Sequence, residues 1–466
     1  MITLQYIVLF IYAIAIVMVF FYALAQLNLL FNYLSSKKKR NISLKLDISN
    51  PNEVPYVTIQ LPVYNELYVM ERLLNNISKI EYPRDKLEIQ VLDDSTDESL
   101  GITAKHVEEL KRTGLDIKHI VRNNRTDFKA GALKEGLKTA KGEFIAIFDA
   151  DFLPQKDWLL ITAPHFKDDN IGVVQTRWGH INRDYSLLTK VQAFALDAHF
   201  TLEQVGRNTK DHFINFNGTA GIWRKQCILD AGNWNGETLT EDLDLSYRAQ
   251  LKQWKFKYLE EVETPAELPV VISAARTQQF RWNKGGAENF RKYIKNIIAS
   301  ETIGTKTKIH GLLHLLNSTM FLNVLIIAIL SVPMLFIQNS DLQLNLYFEI
   351  MRLFIISTVI FFVCFWFMYR NTFGKGLKNF IKYIGMFFIF FSIAMGFSFH
   401  NSIAVIEGHL GKRSAFVRTP KFNINSISDS WKNNKYLRRK ISLNVIFEGL
   451  LMLYFIFGLL LSLIHI

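Results

Sequence analysis

Apolar positions are concentrated at the two ends of the chain. Residues 2–34 are almost wholly apolar and uncharged, and a helix needs only ~20 such residues to cross a bilayer. Further apolar stretches lie at 311–337, 347–369, 383–406 and 442–466. Basic residues follow the first stretch, at Lys37, Lys38, Lys39 and Arg40. This order predicts an uncleaved anchor with the N-terminus outside, since a cleaved signal peptide carries its positive charge first.

The basic segment 407–440 limits how many of the later stretches cross. If all four crossed, this segment would lie outside, yet it carries nine Lys and Arg residues. Such a density of basic residues is typical of the cytosolic side. The stretch 383–406 is the most polar of the four and includes Ser392, His400 and Asn401. We therefore predict an interfacial or re-entrant helix at 383–406.

Between about residues 50 and 305, short β-rich runs alternate with helical patterns. The runs lie at 57–61, 87–92, 117–121, 143–148 and 171–176, and helical patterns at 97–112 and 129–140. Pro62 is expected to end the first run. This alternation predicts an α/β fold, a mostly parallel sheet with helices on both faces. Ligands of such sheets bind beyond the carboxyl ends of the strands.

Carboxylates follow two of the predicted strands. Asp93 and Asp94 end the second strand, and Asp149 and Asp151 end the fourth. Two carboxylates at positions i and i+2 suit one hard cation that also binds phosphate oxygens, although an isolated pair is more often a solvated loop. For the first cluster, capping of the next helix by Ser95 or Asp97 is the alternative.

Two later motifs add candidate chemistry. Glu241 and Asp242 precede a helical pattern at 243–252, where a carboxylate is stabilised as the anion. This placement suits a general base and equally a capping box. Arg281 offers a fork for a diphosphate and Trp282 a flat face for a sugar ring. An amphipathic helix on the membrane is compatible with the same residues.

Composition excludes several classes of protein. Two cysteines in 466 residues, Cys227 and Cys364, exclude a disulfide framework or a cysteine-rich zinc site. The sequence shows no Walker P-loop, zinc-protease motif or nucleophile elbow. The net charge of +12 admits a nucleic-acid partner, but much of the basic excess flanks the apolar stretches, which favours a lipid bilayer instead. We expect no nucleic-acid partner.

The motifs at 62–66, 93–94, 129–132, 149–151, 216–219, 240–242 and 278–282 occur in one recognisable order. In this order they resemble inverting glycosyltransferases of family 2 in the cellulose synthase superfamily. The resemblance is strongest to cellulose synthase-like A and C proteins, which make mannan, glucomannan or glucan backbones. It covers residues 55–300 and extends more weakly to 416–421. That segment is similar to the Phe-x-Val-Thr-x-Lys gating loop of processive synthases, with Arg418 in place of Val.

The resemblance implies a glycosyltransferase A type domain and assigns roles to individual residues. Asp242 is the expected catalytic base, and Asp149 and Asp151 are expected to bind Mg²⁺ or Mn²⁺. The expected donor-binding residues are Tyr64, Glu66, Asp93, Asp94, Lys129, Asp149 and Arg281. The expected acceptor-binding residues are Phe216, Asn217, Gly218, Thr219, Glu241, Gln278 and Trp282, and Phe416, Thr419 and Lys421 belong to the gating loop.

The same resemblance implies a function and an organisation. We expect a membrane-embedded, processive enzyme that adds glucose or mannose, from UDP-glucose or GDP-mannose, to a β-linked polysaccharide, the linkage being β-1,4. A one-step enzyme with a lipid acceptor, similar to ceramide glucosyltransferases, is the alternative. A bacterial inner membrane and a cytosolic catalytic domain are expected. The expected units are a transmembrane anchor (1–36), the catalytic domain (50–282), interfacial amphipathic helices (283–310), transmembrane and interfacial helices (311–406), the basic cytosolic segment with the gating-loop motif (407–440) and a final transmembrane helix (441–466).

Overall fold

A computed structural model describes residues 2–36, 44–50, 53–339, 344–437 and 443–464. The strands are β1 Val57–Val63, β2 Leu87–Asp93, β3 Ile117–Val121, β4 Phe144–Ile147, β5 Ile171–His180, β6 Gly221–Arg224 and β7 Lys255–Ala266. The helices before the last strand are α1 Ile2–Ser36, α2 Met70–Ile77, α3 Ser99–Arg112, α4 Phe128–Thr139, α5 Trp158–Thr162, α6 Leu187–Asp197, α7 Gln204–Asn208, α8 Lys225–Asp230 and α9 Glu241–Leu251. Those after it are α10 Ile272–Ala299, α11 Thr305–Leu315, α12 Thr319–Gln338, α13 Asn345–Leu353, α14 Ile356–Phe373, α15 Leu377–Leu410 and α16 Leu443–Ile464. A π-helix, Ala198–Glu203, joins α6 to α7.

One seven-stranded sheet, in the order β3-β2-β1-β4-β6-β5-β7, forms the centre of the catalytic domain. All pairs are parallel except those of β6, which runs antiparallel to both β4 and β5. Every residue of β2 and β4 is buried, as expected for strands covered on both faces. The predicted α/β fold is therefore confirmed, while β6 and β7 were not among the predicted strands.

The first strand extends further than predicted. Pro62 and Val63 still pair with Leu92 and Asp93 of β2. On the other side, β4 pairs with β1 only as far as Gln60. Proline has no backbone N–H to donate. Because β4 has already ended beside Pro62, no hydrogen bond of the sheet is lost there. The expectation that Pro62 ends the strand was wrong for this reason.

Helix α9 is held against α10 by a buried carboxylate. The side chain of Asp244 is fully buried and accepts a hydrogen bond from Tyr293 at 2.6 Å. It also pairs with Lys292 and Arg248, each at 2.7 Å. Because Asp244 lies in the first turn of α9, these contacts also fix the neighbouring Glu241 and Asp242.

Five helices are long and apolar enough to cross a membrane, counting only the residues that the structure describes. They span Thr3–Ser36, Thr319–Gln338, Asn345–Phe373, Leu377–Leu410 and Leu443–Leu463. The basic groups at 37–40 and 438–440, which support the predicted orientation, lie outside the described residues.

Several predicted boundaries fall inside helices. The catalytic unit was expected to end at residue 282, but α10 continues unbroken from Ile272 to Ala299. Likewise, α11 crosses the expected boundary at 310, and α15 ends at Leu410 instead of 406. Helix α15 is continuous over 34 residues, so the re-entrant form of the prediction for 383–406 is wrong, because a re-entrant segment reverses direction. The interfacial form stays a prediction.

Candidate active site

A cavity of about 180 Å³ lies beyond the carboxyl ends of β1 and β4. Its wall is completed by the first turn of α9, by α10 and by the 416–421 segment. All the predicted site residues line this cavity except Asp93, Phe216 and Thr219. The edge of the sheet that the sequence indicated is therefore where these side chains meet.

The three exceptions lie behind the cavity wall. Asp93 is fully buried, and its carboxylate is 2.9 Å from the Nε2 atom of His119. Phe216 packs among buried aromatic rings, including Trp223. The Thr219 hydroxyl accepts a hydrogen bond from the backbone N–H of Asp149 at 2.9 Å. These three side chains are buried in protein contacts and do not line the cavity, and their expected contacts with substrate stay predictions.

Asp242 stands at the start of α9 without acting as a cap. Its Oδ1 atom accepts a hydrogen bond from the N–H of Leu243 at 2.9 Å. Burial raises the pKa of Asp242 to about 7, and the charge of Glu241 adds to this effect while Lys129 opposes it. The capping-box alternative is wrong, since the Thr240 side chain makes no capping bond and instead accepts from Asn289. A carboxyl of this pKa suits a general base.

Lys129 joins the donor side of the cavity to the turn that follows Phe216. Its Nζ atom donates to Asp149 Oδ1 at 2.5 Å and to the carbonyl of Gly218 at 2.8 Å. Burial lowers the pKa of Lys129, but the charges of Asp149, Glu241 and Asp242 outweigh it and the pKa is raised. The lysine therefore stays cationic beside the place where a diphosphate would sit.

Asp149 and Asp151 fit a divalent cation. The Oδ1 atom of Asp151 is buried with no hydrogen-bond partner, and its Oδ2 atom is 2.7 Å from Lys421 Nζ. An orphaned carboxylate oxygen beside a second carboxylate is a suitable donor set for a hard ion. Across the described part of the chain, no cluster of three or more His, Cys, Asp or Glu could hold a metal. A bound ion would thus take its remaining ligands from substrate oxygens or water.

The 416–421 segment is seated in the same cavity. The ring of Phe416 stacks on Phe128 with centroids 5.4 Å apart, and the guanidinium of Arg281 lies 4.6 Å from the Phe416 centroid. Arg281 also donates to the hydroxyl of Thr419 at 3.1 Å. Arg418 pairs with the carboxylate of Glu66 at 2.8 Å. The segment thus contacts side chains of the cavity wall that lie more than 130 positions earlier in the chain.

The sequence analysis missed two arginines that contact predicted donor-binding residues. Arg122 pairs with both oxygens of Asp94, at 2.8 and 2.5 Å. The guanidinium of Arg125 lies 3.4 Å from the centre of the Tyr64 ring. Both arginines follow β3, whose carboxyl end reaches the same edge of the sheet as β2. The two arginines that directly follow this strand, separated by two asparagines, were therefore a signal that could have found them.

A second cavity, of about 350 Å³, begins at Asp242 and Trp282 and continues between α6 and α15. Gln278 and Asn217 line it as well as the first cavity. An adjoining cavity of about 270 Å³ lies among α1, α12 and α14. Its wall includes the aromatic rings of Phe361 and Phe365. The space next to the candidate base is therefore extended toward the membrane helices.

Together these features define a domain of the glycosyltransferase class: an α/β sheet with a buried carboxyl group, paired carboxylates and several cations in one cleft. Residues 55–285 match the family model described as "Glycosyltransferase like family 2". These residues are therefore a domain of this family.

Several curated relatives are plant proteins. The chain is 42% identical over 265 residues to a probable glucomannan 4-beta-mannosyltransferase 7 of Oryza sativa subsp. japonica, covering 56% of this chain and 45% of that one. It is 39% identical over 287 residues to glucomannan 4-beta-mannosyltransferase 9 of Arabidopsis thaliana, covering 60% and 54%. The chain spans about half the length of the curated relatives it matches.

A solved structure shows the same fold. Mannosyltransferase PcManGT from Pyrobaculum calidifontis, in complex with GDP-Man and Mn²⁺, aligns with a TM-score of 0.55 at 20% identity. The alignment covers 86% of this chain and all of that one. At this identity the likeness concerns the fold alone. The plant relatives do not support the expected bacterial inner membrane.

Proposed function

We propose that this chain transfers mannose from GDP-mannose, with inversion, to a growing β-1,4-linked polysaccharide. The observation that carries the proposal is the buried carboxyl of Asp242 facing Lys129 and Arg281 across one cavity. The names of the plant relatives support mannose over glucose, and the GDP-Man of PcManGT supports the guanine nucleotide. UDP-glucose is the second donor to be tested.

The donor would lie between the ends of β1 and β4. Tyr64, Glu66 and Asp94 line the cavity, and the base and ribose are expected beside them. Lys129, Arg281 and Lys421 would face the diphosphate, where cations stabilise the charge that develops on a leaving group. A divalent ion on Asp149 and Asp151 would supply further neutralisation of that charge.

The transfer step needs one base and one displacement. The carboxylate of Asp242 would take the proton from the acceptor hydroxyl, and the hydroxyl oxygen would form a bond to the anomeric carbon. The bond from that carbon to the diphosphate oxygen breaks on the opposite face, and the nucleoside diphosphate leaves. An α-linked donor therefore gives a β-linked product. General base catalysis of this kind contributes typically ~10²–10⁴ in rate.

Two observations support a polymer over a lipid as acceptor. The second cavity extends from Asp242 along α6 and α15, which gives room for sugar units beyond the acceptor residue. The 416–421 segment also occupies the donor side, as expected for a processive synthase. We propose that Trp282, Gln278 and Asn217 hold the acceptor sugar, because they line both cavities.

Donor assays on membranes would test the proposal. We expect incorporation of label from GDP-mannose into an insoluble, alkali-resistant product whose linkage analysis shows 4-linked mannose. A lipid-extractable product would favour the one-step alternative, and labelling from UDP-glucose alone would reject mannose.

Asp242→Asn tests the assigned base. The carboxamide has nearly the same shape but cannot accept the proton, so we expect transfer to fall by at least ~10²-fold. Binding of GDP, measured by calorimetry on the purified full chain, should change little because Asp242 faces the acceptor. Transfer at the wild-type rate by this variant would show that another group is the base.

A further inference from the structure

A buried, charged network lies outside the catalytic residues, where α1 meets the π-helix. At its centre is the carboxylate of Glu203, in a residue with 8% of its surface exposed. Four side chains bind this carboxylate: Gln26 at 2.7 Å, His199 at 3.0 Å, Arg207 at 3.1 Å and Tyr22 at 3.3 Å. Single turns of π-helix occur frequently at functional sites. We therefore expect this network to have a functional role in addition to its role in packing.

The network determines which ring nitrogen of a neutral His199 carries the proton. Burial raises the pKa of Glu203, but Arg207 and His199 outweigh it and the pKa is lowered, so the carboxylate is charged. A carboxylate can only accept, and the Nδ1 atom of His199 must therefore donate to it. In the neutral ring the Nε2 atom is then left as an acceptor.

This Nε2 atom of His199 faces Asn217, one of the residues expected to bind the acceptor sugar. The Nε2 atom of His199 lies 3.1 Å from the Nδ2 atom of Asn217. Gln204 Nε2 donates to Asn217 Oδ1 at 2.7 Å and to the carbonyl of Asn215 at 2.9 Å, which fixes how both carboxamides are oriented. Asn217 Nδ2 is consequently the donor to His199.

Asn217 begins a turn that links both sides of the active site. The carbonyl of the next residue, Gly218, accepts from Lys129, and the hydroxyl of Thr219 accepts from the N–H of Asp149. Asn217 itself lines both the first and the second cavity, together with Asp242. A shift of its carboxamide would thus change the wall against which an acceptor sugar packs.

We propose that His199, oriented by Glu203, is a positioning residue that holds Asn217 in place for the acceptor sugar. Through Tyr22 and Gln26 of α1, the network ties this wall to a membrane helix. The inference rests on the proposed transfer to a sugar acceptor and concerns acceptor binding only. His199 is not a group that touches the reacting atoms.

Two substitutions separate the contacts of His199. His199→Gln places a carbonyl oxygen near the Nε2 position and can still accept from Asn217, whereas His199→Asn reaches only Glu203. With the full chain in detergent, GDP-mannose and a β-1,4-manno-oligosaccharide acceptor, we expect H199N to raise the acceptor KM about tenfold, the equivalent of one hydrogen bond. H199Q should restore it to within about threefold of wild type, and the donor KM should stay constant in both.

A double-substitution cycle keeps the test independent of folding. If His199 acts through Asn217, H199N should have no further effect on the acceptor KM in an Asn217→Ala background. Equal defects in H199N and H199Q, additive effects with N217A, or an equal rise in the donor KM would each overturn the inference and leave the proposed function standing. A wild-type chain that transfers no sugar to the oligosaccharide would overturn both.

Discussion

At the scale of single residues, the raised pKa of Asp242 predicts how the rate of transfer depends on pH. Burial and the charge of Glu241 raise the pKa of this carboxyl, and only its deprotonated form can act as a base. The value of kcat/KM should therefore fall about tenfold per pH unit below that pKa. A pH series of initial rates between pH 5 and 9 measures it.

Glu66 provides the control for that series. Burial raises its pKa to about 7 as well, with Arg418 and Lys421 opposing the effect. Glu66→Gln removes this titration and leaves Asp242 in place, so the acidic fall in rate should persist. Its disappearance in this variant would assign the pH dependence to Glu66, and a flat wild-type profile would argue against Asp242 as base.

Gly218 is a second residue whose replacement has a definite outcome. Its φ angle is +81°, and a Cβ atom there would lie 3.0 Å from Asp242 Oδ2. A left-handed conformation costs a non-glycine residue roughly 1–2 kcal/mol. We expect Gly218→Ala to lower kcat about tenfold or more, measured in the transfer assay.

Gly101 is the matched control for that substitution. It lies within α3, and a Cβ atom there would have no neighbour within 4 Å. Gly101→Ala should leave kcat unchanged and raise helix stability slightly. Equal activity of the two variants would mean that the turn at Gly218 is not constrained by Asp242.

The sequence predicted the carboxylates that line the cavity better than the residues that pair with them. The carboxylates Asp149 and Asp242 could be recognised because strand ends and helix starts are local patterns. Their partners could not, since pairs such as Arg418 with Glu66 and Lys421 with Asp151 join residues far apart in the chain. The same reason hid the contact of His199 with Asn217.

At the scale of elements, the position of α9 depends on Asp244. Removing one partner of a buried ion pair costs about 3–5 kcal/mol, and the Asp244 side chain is fully buried between Arg248 and Lys292. Asp244→Asn should lower the unfolding temperature in detergent and reduce kcat, because α9 carries Asp242. Glu237 pairs with the same lysine at 2.7 Å but its side chain is 63% exposed, and Glu237→Gln should change neither property.

The sheet shows which strands can be predicted from a local sequence pattern and which cannot. Strands β1 to β5 were predicted because each contains a short run of residues that favour β-structure, next to a helical pattern. The strand β6 has only four residues and inserts antiparallel between β4 and β5. The order of strands in the sheet depends on which faces pack together, and it cannot be predicted from neighbouring positions in the sequence.

At the scale of the whole molecule, the ends of α15 limit the membrane topology. Phe373, just before α15, lies 5.6 Å from the guanidinium of Arg183 in the catalytic domain. Near the other end, Glu407 pairs with Lys284 of α10 at 3.0 Å. Beyond it, Arg418 and Lys421 reach into the catalytic cavity. The residues that flank α15 on both sides thus contact the catalytic domain, which favours the predicted interfacial position of 383–406.

Cysteine labelling tests this topology, because the two native cysteines, Cys227 and Cys364, are buried. In sealed vesicles treated with a membrane-impermeant maleimide, Ser426→Cys should be labelled from the same side as Thr113→Cys, a surface position of the catalytic domain. Asn339→Cys, exposed at the end of α12, should be labelled only from the opposite side. If α15 crossed the bilayer, Ser426→Cys would instead follow Asn339→Cys. The contacts of Arg418 and Lys421 in the cavity could not then form, since a segment cannot reach the catalytic cavity from across the membrane.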